Sequence, residues 1–174
     1  MVYDYNLIGL KLAEAVNLPV AVAFDGFFTS HQKRRCMIFA DDQDVQDYVG
    51  PVRKRTDILD TEHPVTIGSY MNEPDLINNK YQLHEAMEQA LNEIEPLFEE
   101  FEELSGRPQH LVETYRAEDA AVVIFALGST FHTLKEAVDQ LRKEGIEAGA
   151  ATLTMIRPFP KAKLIEKIAH AQTL

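Results

Sequence analysis

Hydrophobic and polar residues between positions 118 and 160 follow the pattern of a complete strand–helix–strand unit. Residues 120–127 form a continuous apolar run, which is typical of a strand buried on both faces of a sheet. Gly128 then allows a tight turn, and Ser129 or Thr130 can cap the N-terminus of a helix. Residues 148–156 predict the next strand, which ends before two prolines.

The helix of this unit has one apolar face, formed by residues that recur every three or four positions: Leu134, Ala137, Val138 and Leu141. Gly145 lies where a left-handed residue commonly ends a helix. A strand–helix–strand unit of this length is expected to cross over right-handed and to place its two strands in parallel. We therefore predict an α/β fold with a mostly parallel open sheet and flanking helices.

The first 50 residues predict too few elements to close a sheet. A helix is expected over residues 3–16, with the apolar positions Leu7, Leu10, Ala13 and Val16. A valine-rich strand is expected over 18–24, a short strand over 36–40 and a short acidic helix over 41–49. An open sheet usually has about five strands. We expect this region to be the tail of a larger domain.

The middle of the chain predicts a linker and one long acidic helix. Residues 51–64 are linker-like and include three basic residues at 53–55, residues 65–67 could form a short strand, and residues 70–79 predict a loop. Residues 80–104 predict a helix whose apolar stripe consists of Leu83, Met87, Leu91, Ile94, Phe98 and Phe101. Pro96 lies inside this helix, so a kink or break is expected near Glu95. A strand over 110–115 and a final helix over 161–169 complete the prediction.

Composition narrows the possible functions. Hydrophobic residues make up 45% of the 174 residues, which is enough for a packed core. The formal net charge of −11 argues against binding to nucleic acid or to anionic membranes. No apolar run reaches the roughly 20 residues of a membrane span, and the N-terminus lacks the pattern of a signal peptide. The single cysteine, Cys36, excludes disulfides within the chain and favours a cytoplasmic location.

Residues 25–31 are the strongest candidate for a functional loop. They follow the predicted strand at its carboxyl end, where open α/β sheets place their ligands. Asp25 and His31 could act as an acid and a base beside Gly26. The alternative is a structural turn with Phe27 and Phe28 packed beneath it.

A second candidate is formed by Gly128, Ser129 and Thr130, which could hold a phosphate at a helix N-terminus. The motif lacks the lysine of a P-loop and the three glycines of a dinucleotide site, so a turn with a helix cap is the alternative. Arg157 could bind a carboxylate or phosphate, or could form a salt bridge.

The remaining polar residues predict no metal site. The six histidines show no pair at metal-ligand spacing. The glutamates between 85 and 103 predict a solvated helix face, with a basic partner as the alternative. Two arginines precede Cys36 and could activate its thiol, but a small buried residue is the favoured prediction.

Three segments together resemble the alpha chain of the 2-oxoacid:ferredoxin oxidoreductases, the pyruvate:ferredoxin oxidoreductase family. Residues 18–31 resemble the end of the family's first domain, with its Asp-Gly-Phe-x-x-Ser-His sequence. Residues 63–68 and 81–87 resemble its connecting segment. Four short motifs, at 118–120, 126–130, 135–138 and 157–160, resemble the start of the second domain, which is similar to the transketolase C-terminal domain.

This resemblance implies three regions: residues 1–50 as the end of a thiamine-enzyme pyrimidine-type domain, 51–117 as the linker and 118–174 as the start of the second domain. It also implies oxidative decarboxylation of a 2-oxoacid, pyruvate being the first expectation. The cofactors of the whole enzyme would be thiamine diphosphate, magnesium, iron–sulfur clusters and coenzyme A, with ferredoxin or flavodoxin as electron acceptor. The sequence lacks the Gly-Asp-Gly…Asn pattern that holds magnesium and the diphosphate, so this chain is expected to bind no cofactor alone.

The chain is therefore expected to be a fragment that is inactive without the remaining domains or subunits. Partial sheets expose edges and apolar faces, so self-association of the isolated chain is expected. Two alternatives stay open. One is a non-catalytic assembly module of the transketolase C-terminal type. The other is a small flavodoxin-like domain that binds a phosphorylated ligand.

Overall fold

A computed structural model of the chain describes residues 2–51, 60–64, 72 and 75–173. The elements in these ranges are, in chain order, α1 (Val2–Val16), α2 (Phe28–His31), α3 (Asp42–Val49), α4 (Asp75–Ser105), β1 (Val112–Tyr115), β2 (Val122–Phe125), α5 (Thr130–Lys143), β3 (Ala148–Leu153) and α6 (Lys161–Ile168). The predicted basic segment at 53–55 and the predicted strand at 65–67 lie outside the described residues.

The second half of the chain forms the predicted strand–helix–strand unit. Strands β2 and β3 pair in parallel, with Val123 opposite Gly149, and α5 connects them. Strand β1 pairs with β3 in the antiparallel direction, so the strand order is β1-β3-β2. Thr173 forms an isolated parallel bridge to Val122 on the other side of β2. The α/β class with a small sheet and flanking helices is confirmed, and the antiparallel strand at its edge is a common addition to such sheets.

Strand β3 lies between the other two strands of the sheet, and every one of its residues is buried. Phe131 and Val138 of α5 pack on one side against Ala148 and Ala150. Val123 and Ala151 form part of a separate cluster. The small side chains of β3 let neighbouring elements approach closely, and a Cβ atom on Gly149 would lie 2.7 Å from the carbonyl oxygen of Arg116. Gly145 has a φ of 84°, as predicted for the end of α5.

The first half of the chain packs around α1 and the second half of α4. Ile8, Leu12 and Val16 of α1 are buried, whereas Leu10 is 51% exposed. The buried face of α1 therefore differs from the predicted one, which included Leu10. Phe101 of α4 is fully buried and meets the rings of Phe39 and Tyr48 at 5.9 and 5.3 Å between centroids. Edge-to-face contacts between aromatic rings stabilise the core beyond the effect of burying their apolar area.

Helix α4 is longer than predicted and its stripe is buried only in part. It begins at Asp75, so the predicted loop over 70–79 is wrong from that residue onward. Its 31 residues span about 46 Å. Ile94 and Phe98 are buried, whereas Leu83 is 42% exposed, because the neighbouring helices α1 and α3 cover only the later turns.

Pro96 does not end α4, so of the predicted kink or break near Glu95 the break is wrong. An interior proline removes one backbone hydrogen bond and costs about 3 kcal/mol. Ile94, Leu97 and Phe98 are all buried around it. Each buried side chain of this size contributes roughly 1.5–3 kcal/mol, which offsets the cost of the proline.

An ion pair joins the start of α1 to the segment that follows α4. The Nη2 atom of Arg107 donates to Oδ1 of Asp4 at 2.9 Å, and Asp4 is only 3% exposed. The guanidinium carbon of Arg107 lies 5.3 Å from the ring centroids of both Phe39 and Phe101. The arginine therefore compensates a buried charge and closes one end of the helical core.

Two predicted strands, at 18–24 and 36–40, are wrong. Neither segment has a ladder partner among the described residues. A strand needs a neighbour to bond its backbone N–H and C=O groups, so an apolar sequence alone cannot create one. The side chains of Val20 and Val22 instead lie against Gly9 of α1.

The segment around Cys36 is on the surface. Cys36 is exposed, and the nearest recorded contact of its Sγ atom is the carbonyl oxygen of Arg34 at 3.9 Å. The prediction of a small buried residue is wrong because only Phe39, within 36–40, packs against the core. None of the helices in the described part of the chain combines the length and hydrophobicity needed to cross a bilayer.

We expect Gly149→Ala to lower the free energy of unfolding by about 1–3 kcal/mol, because the new Cβ would collide with backbone atoms of Arg116 and Ala117. Urea denaturation followed by circular dichroism measures this change. The matched control is Gly26→Ala, where no described atom beyond the two chain neighbours lies within 4 Å of the new Cβ. That variant should be unchanged or more stable by up to about 1 kcal/mol. Equal effects at both positions would contradict the packing described for β3.

Candidate functional site

Several contacts within the loop at residues 25–31 hold its second half together. The backbone N–H of His31 donates to the carbonyl oxygen of Phe27 at 2.9 Å, and the imidazole Nδ1 lies 2.8 Å from Ser30 Oγ. The rings of Phe27 and His31 are 5.6 Å apart between centroids. The loop therefore behaves as one small unit that carries the imidazole at its end.

Phe27 adopts a backbone conformation that its residue type rarely takes. Its φ is 50°, in the left-handed region, where an aromatic side chain is strained. Its ring is 71% exposed, so the predicted packing of Phe27 beneath the turn is wrong, and the side chain of Phe28 lies outside the described part. Strain of about 1–3 kcal/mol persists only where the surroundings impose it, and it is common at functional sites.

The side chain of Asp25 reaches the N-terminus of α5, although 104 positions separate it from Ser129. The backbone N–H of Ser129 donates to Oδ2 of Asp25 at 2.9 Å, and the Ser129 hydroxyl donates to the same oxygen. The two loops that the sequence marked as separate candidates are thus a single site.

Gly128 makes this approach possible. Its φ of 61° is left-handed, and a Cβ atom there would lie 3.0 Å from Oδ2 and 3.1 Å from Oδ1 of Asp25. A side chain at this position would therefore be strained in its backbone and crowded against the carboxylate. The sequence predicted a turn at Gly128, but not the carboxylate that the missing side chain admits.

The electrostatics of this contact favour the ionised carboxylate. The Ser129 hydroxyl and then its backbone N–H hold the pKa of Asp25 below its ordinary value, against a smaller opposing effect of desolvation. The N-terminus of a helix also carries a partial positive charge that stabilises anions. Ser129 is the N-cap of α5, yet its own side chain makes no capping bond. The cap comes from Asp25.

The other predicted site residues lie around this contact. Thr130 begins α5, and Gly26 is adjacent to Asp25 with open space at its Cα. Arg157 is exposed and follows β3. Because β2 and β3 are parallel, Arg157 and Gly128 leave the sheet at the same edge. The structure brings Asp25, Gly128 and Ser129 into contact, whereas no contact of Arg157 with them is recorded among the described residues.

A carboxylate at the N-terminus of α5 has a chemical consequence. Two of the donors that could have held a phosphate at Gly128–Thr130, the N–H and the hydroxyl of Ser129, are bonded to a negative group of the chain itself, which would repel a second anion. The geometry therefore favours the turn-and-cap interpretation. Across the described ranges, no three His, Cys, Asp or Glu side chains converge as a set of metal ligands.

Comparison with known proteins identifies two consecutive regions. Residues 2–99 match the family described as "Pyruvate flavodoxin/ferredoxin oxidoreductase, thiamine diP-bdg". Residues 120–174 match "Pyruvate:ferredoxin oxidoreductase core domain II". Asp25 lies in the first region and Ser129 in the second, so their contact joins the two.

Several curated proteins are similar along nearly the whole chain. Pyruvate synthase subunit PorA of Thermotoga maritima is 42% identical over 166 residues, which cover 94% of this chain and 42% of the relative. The PorA subunit of Pyrococcus furiosus is 36% identical, over 98% of this chain and 43% of the relative. Ketoisovalerate oxidoreductase subunit VorA of Pyrococcus horikoshii is 35% identical, over 95% and 42% respectively. The chain spans less than half the length of these relatives.

We expect the carboxyl carbon of Asp25 to titrate, in a 13C NMR pH series, at a lower pH than an ordinary aspartate. Its pKa is lowered in the folded chain, so the bonds to Ser129 are present above the ordinary pKa and are lost as pH falls through the lowered one. Ser129→Ala removes the hydroxyl donor and should raise the midpoint. An ordinary midpoint in the unsubstituted chain would contradict the contact.

Proposed function

The chain belongs to the pyruvate flavodoxin/ferredoxin oxidoreductase family, and we propose that it is part of the alpha subunit of a 2-oxoacid:ferredoxin oxidoreductase. The observation that carries the proposal is the match of two family regions in order, over residues 2–99 and 120–174. The similar proteins are named as subunits of pyruvate synthase and of ketoisovalerate oxidoreductase. Pyruvate is the proposed substrate because the higher identities are to pyruvate synthase subunits.

The proposed reaction of the whole enzyme is oxidative decarboxylation. The bond between the carboxylate and the carbonyl carbon breaks, and carbon dioxide leaves. Two electrons pass to ferredoxin, and the thiol of coenzyme A takes the acyl group and releases a proton. Thiamine diphosphate with magnesium would supply the carbanion chemistry, and iron–sulfur clusters would carry the electrons.

The described residues do not fit a binding site for magnesium and diphosphate. Asp25 is bonded to Ser129, and no set of metal ligands converges in the part of the chain that the structure describes. We therefore derive no step through these groups, and we propose that the chain is inactive alone. Its own contribution is to join two domains and to shape the substrate side of the site with Asp25, Gly26 and His31.

We propose the domain limits that the resemblance implies: 1–50, 51–117 and 118–174. The later turns of α4 share a core with α1 and α3, which supports a linker that packs on the first region rather than one that hangs free. The remaining domains or subunits of the oxidoreductase are the proposed partners, with ferredoxin or flavodoxin as electron acceptor. An exposed free thiol at Cys36 supports a cytoplasmic location.

His31→Ala tests this role in the assembled oxidoreductase. If the imidazole acts as an acid or base, turnover should fall by roughly 100-fold to 10,000-fold. Assembly, followed by size-exclusion chromatography, should be unchanged because His31 is exposed. The matched control is His84→Ala, an exposed histidine of α4, which should leave turnover unaltered. Loss of assembly with His31→Ala would instead favour the non-catalytic assembly module.

Self-association of the isolated chain is a further proposal. The segment after α1 exposes apolar side chains, among which Phe24 is 52%, Met37 73% and Ile38 62% exposed. Exposed apolar groups mark a contact surface where they form one patch, which we propose for this segment. Sedimentation velocity at micromolar concentration should show dimers or larger species, and Met37→Ser with Ile38→Ser should shift them toward monomer. A monodisperse monomer of the unsubstituted chain would refute this.

A further inference from the structure

We propose that Ser129 is a positioning residue: through Asp25, it sets the place of the 25–31 loop and therefore of His31. This inference rests on the proposed function, because it assigns the loop a task in turnover. It goes beyond the family assignment because it proposes that the contact of Asp25 with Ser129, which joins the two matched regions, positions His31. Asp25 then acts as a link in this device rather than as an acid of the reaction.

Helix α5 provides a fixed platform for the contact. Phe131 and Val138 are buried to 2% and 0% exposure, which anchors the helix along β3. At its other end, Arg142 donates to the carbonyl oxygens of Ala148 at 2.6 Å and Arg116 at 2.8 Å. Both ends of α5 are thus attached to the second region, so the N–H group of Ser129 has a defined direction.

The segment that carries the loop contacts Gly9 of α1 through the side chains of Val20 and Val22, but it lacks strand pairing in the described part of the chain. Residues 19–26 form no ladder in the described part of the chain, and Phe24 and Asp25 are exposed. Two hydrogen bonds from Ser129 to Asp25 therefore supply the defined attachment at the start of the loop. Hydrogen bonds to an ionised group are roughly twice as strong as neutral ones.

The loop transmits the position of Asp25 to His31. The backbone bond from His31 to Phe27, the Ser30 contact and the ring pair make residues 27–31 one unit, which begins two residues after Asp25. If the carboxylate leaves α5, residues 27–31 are no longer held at a fixed position relative to the second region. A misplacement of about 1 Å at a reacting group can cost roughly 100-fold in rate.

The first arm of the test asks whether the contact holds the loop. Hydrogen–deuterium exchange of the 174-residue chain is followed for peptides covering 25–31. Ser129→Ala and Asp25→Asn should each speed this exchange, and the double variant should add little to either change, because both remove the same contact. Ser129→Thr keeps the hydroxyl and should restore slow exchange. Thr133→Ala, which removes an exposed hydroxyl one turn further along α5, is the matched control.

The second arm measures turnover of the assembled oxidoreductase. Ser129→Ala should lower kcat roughly tenfold to 100-fold, and Ser129→Thr should restore it. Ser129→Ala should have no further effect once His31→Ala is present, because it acts through that imidazole. If the contact were purely structural, Ser129→Ala would lower turnover by the same factor in the unsubstituted enzyme and in the His31→Ala variant. If Ser129→Ala fails to fold, Asp25→Asn replaces it, because this substitution changes one exposed group. The same effects on turnover are expected, alone and together with His31→Ala.

Each outcome decides a different claim. Unchanged exchange in Ser129→Ala and Asp25→Asn overturns the positioning device, whatever the enzyme does. Faster exchange with unchanged turnover, or with losses that add to those of His31→Ala, overturns its role in presenting His31. Absence of 2-oxoacid oxidation by the unsubstituted assembly refutes the proposed function itself and leaves the exchange result standing.

Discussion

The contact of Asp25 with the N-terminus of α5 is the constraint on which the arrangement of the candidate site depends. It joins a loop that has no ladder partner within the described ranges to a helix that packs on a sheet. Three requirements meet there: a carboxylate, a hydroxyl beside a free N–H, and a residue without a side chain. Gly128 satisfies the last because a Cβ atom would lie 3.0 Å from the carboxylate oxygen. Each residue alone would be an ordinary turn or cap.

The two halves of the chain use different means to stay folded. The first half relies on helix packing around Phe101 and on the buried pair of Asp4 and Arg107, whose charges would be costly if separated. The second half relies on a strand of small residues that allows close approach of its neighbours. Helix α4 belongs to the first core through its later turns only, which explains how it continues through Pro96 yet exposes Leu83.

Family membership gives these features a common explanation. The PorA subunit of Thermotoga maritima is more than twice as long as this chain, and the segment after α1 exposes apolar side chains that fit the proposed contact with remaining domains or subunits. Ser129 at the N-terminus of α5 bonds Asp25, and under our proposal the second region serves the first by holding its loop. Under the proposed function, the chain connects two domains and is inactive alone.

Local patterns in the sequence determined the elements whose stability is itself local. The 3.6-residue period and the turn residues predicted α5, β2, β3 and the helices at 41–49 and 161–169, and the ordered motifs identified the family. Tertiary structure decided the rest. Residues 18–24 have the composition of a strand but form no ladder with any residue that the structure describes, and the buried face of α1 depended on which helices pack against it. The union of Asp25 with Ser129 also required the fold, because no local pattern relates side chains 104 positions apart.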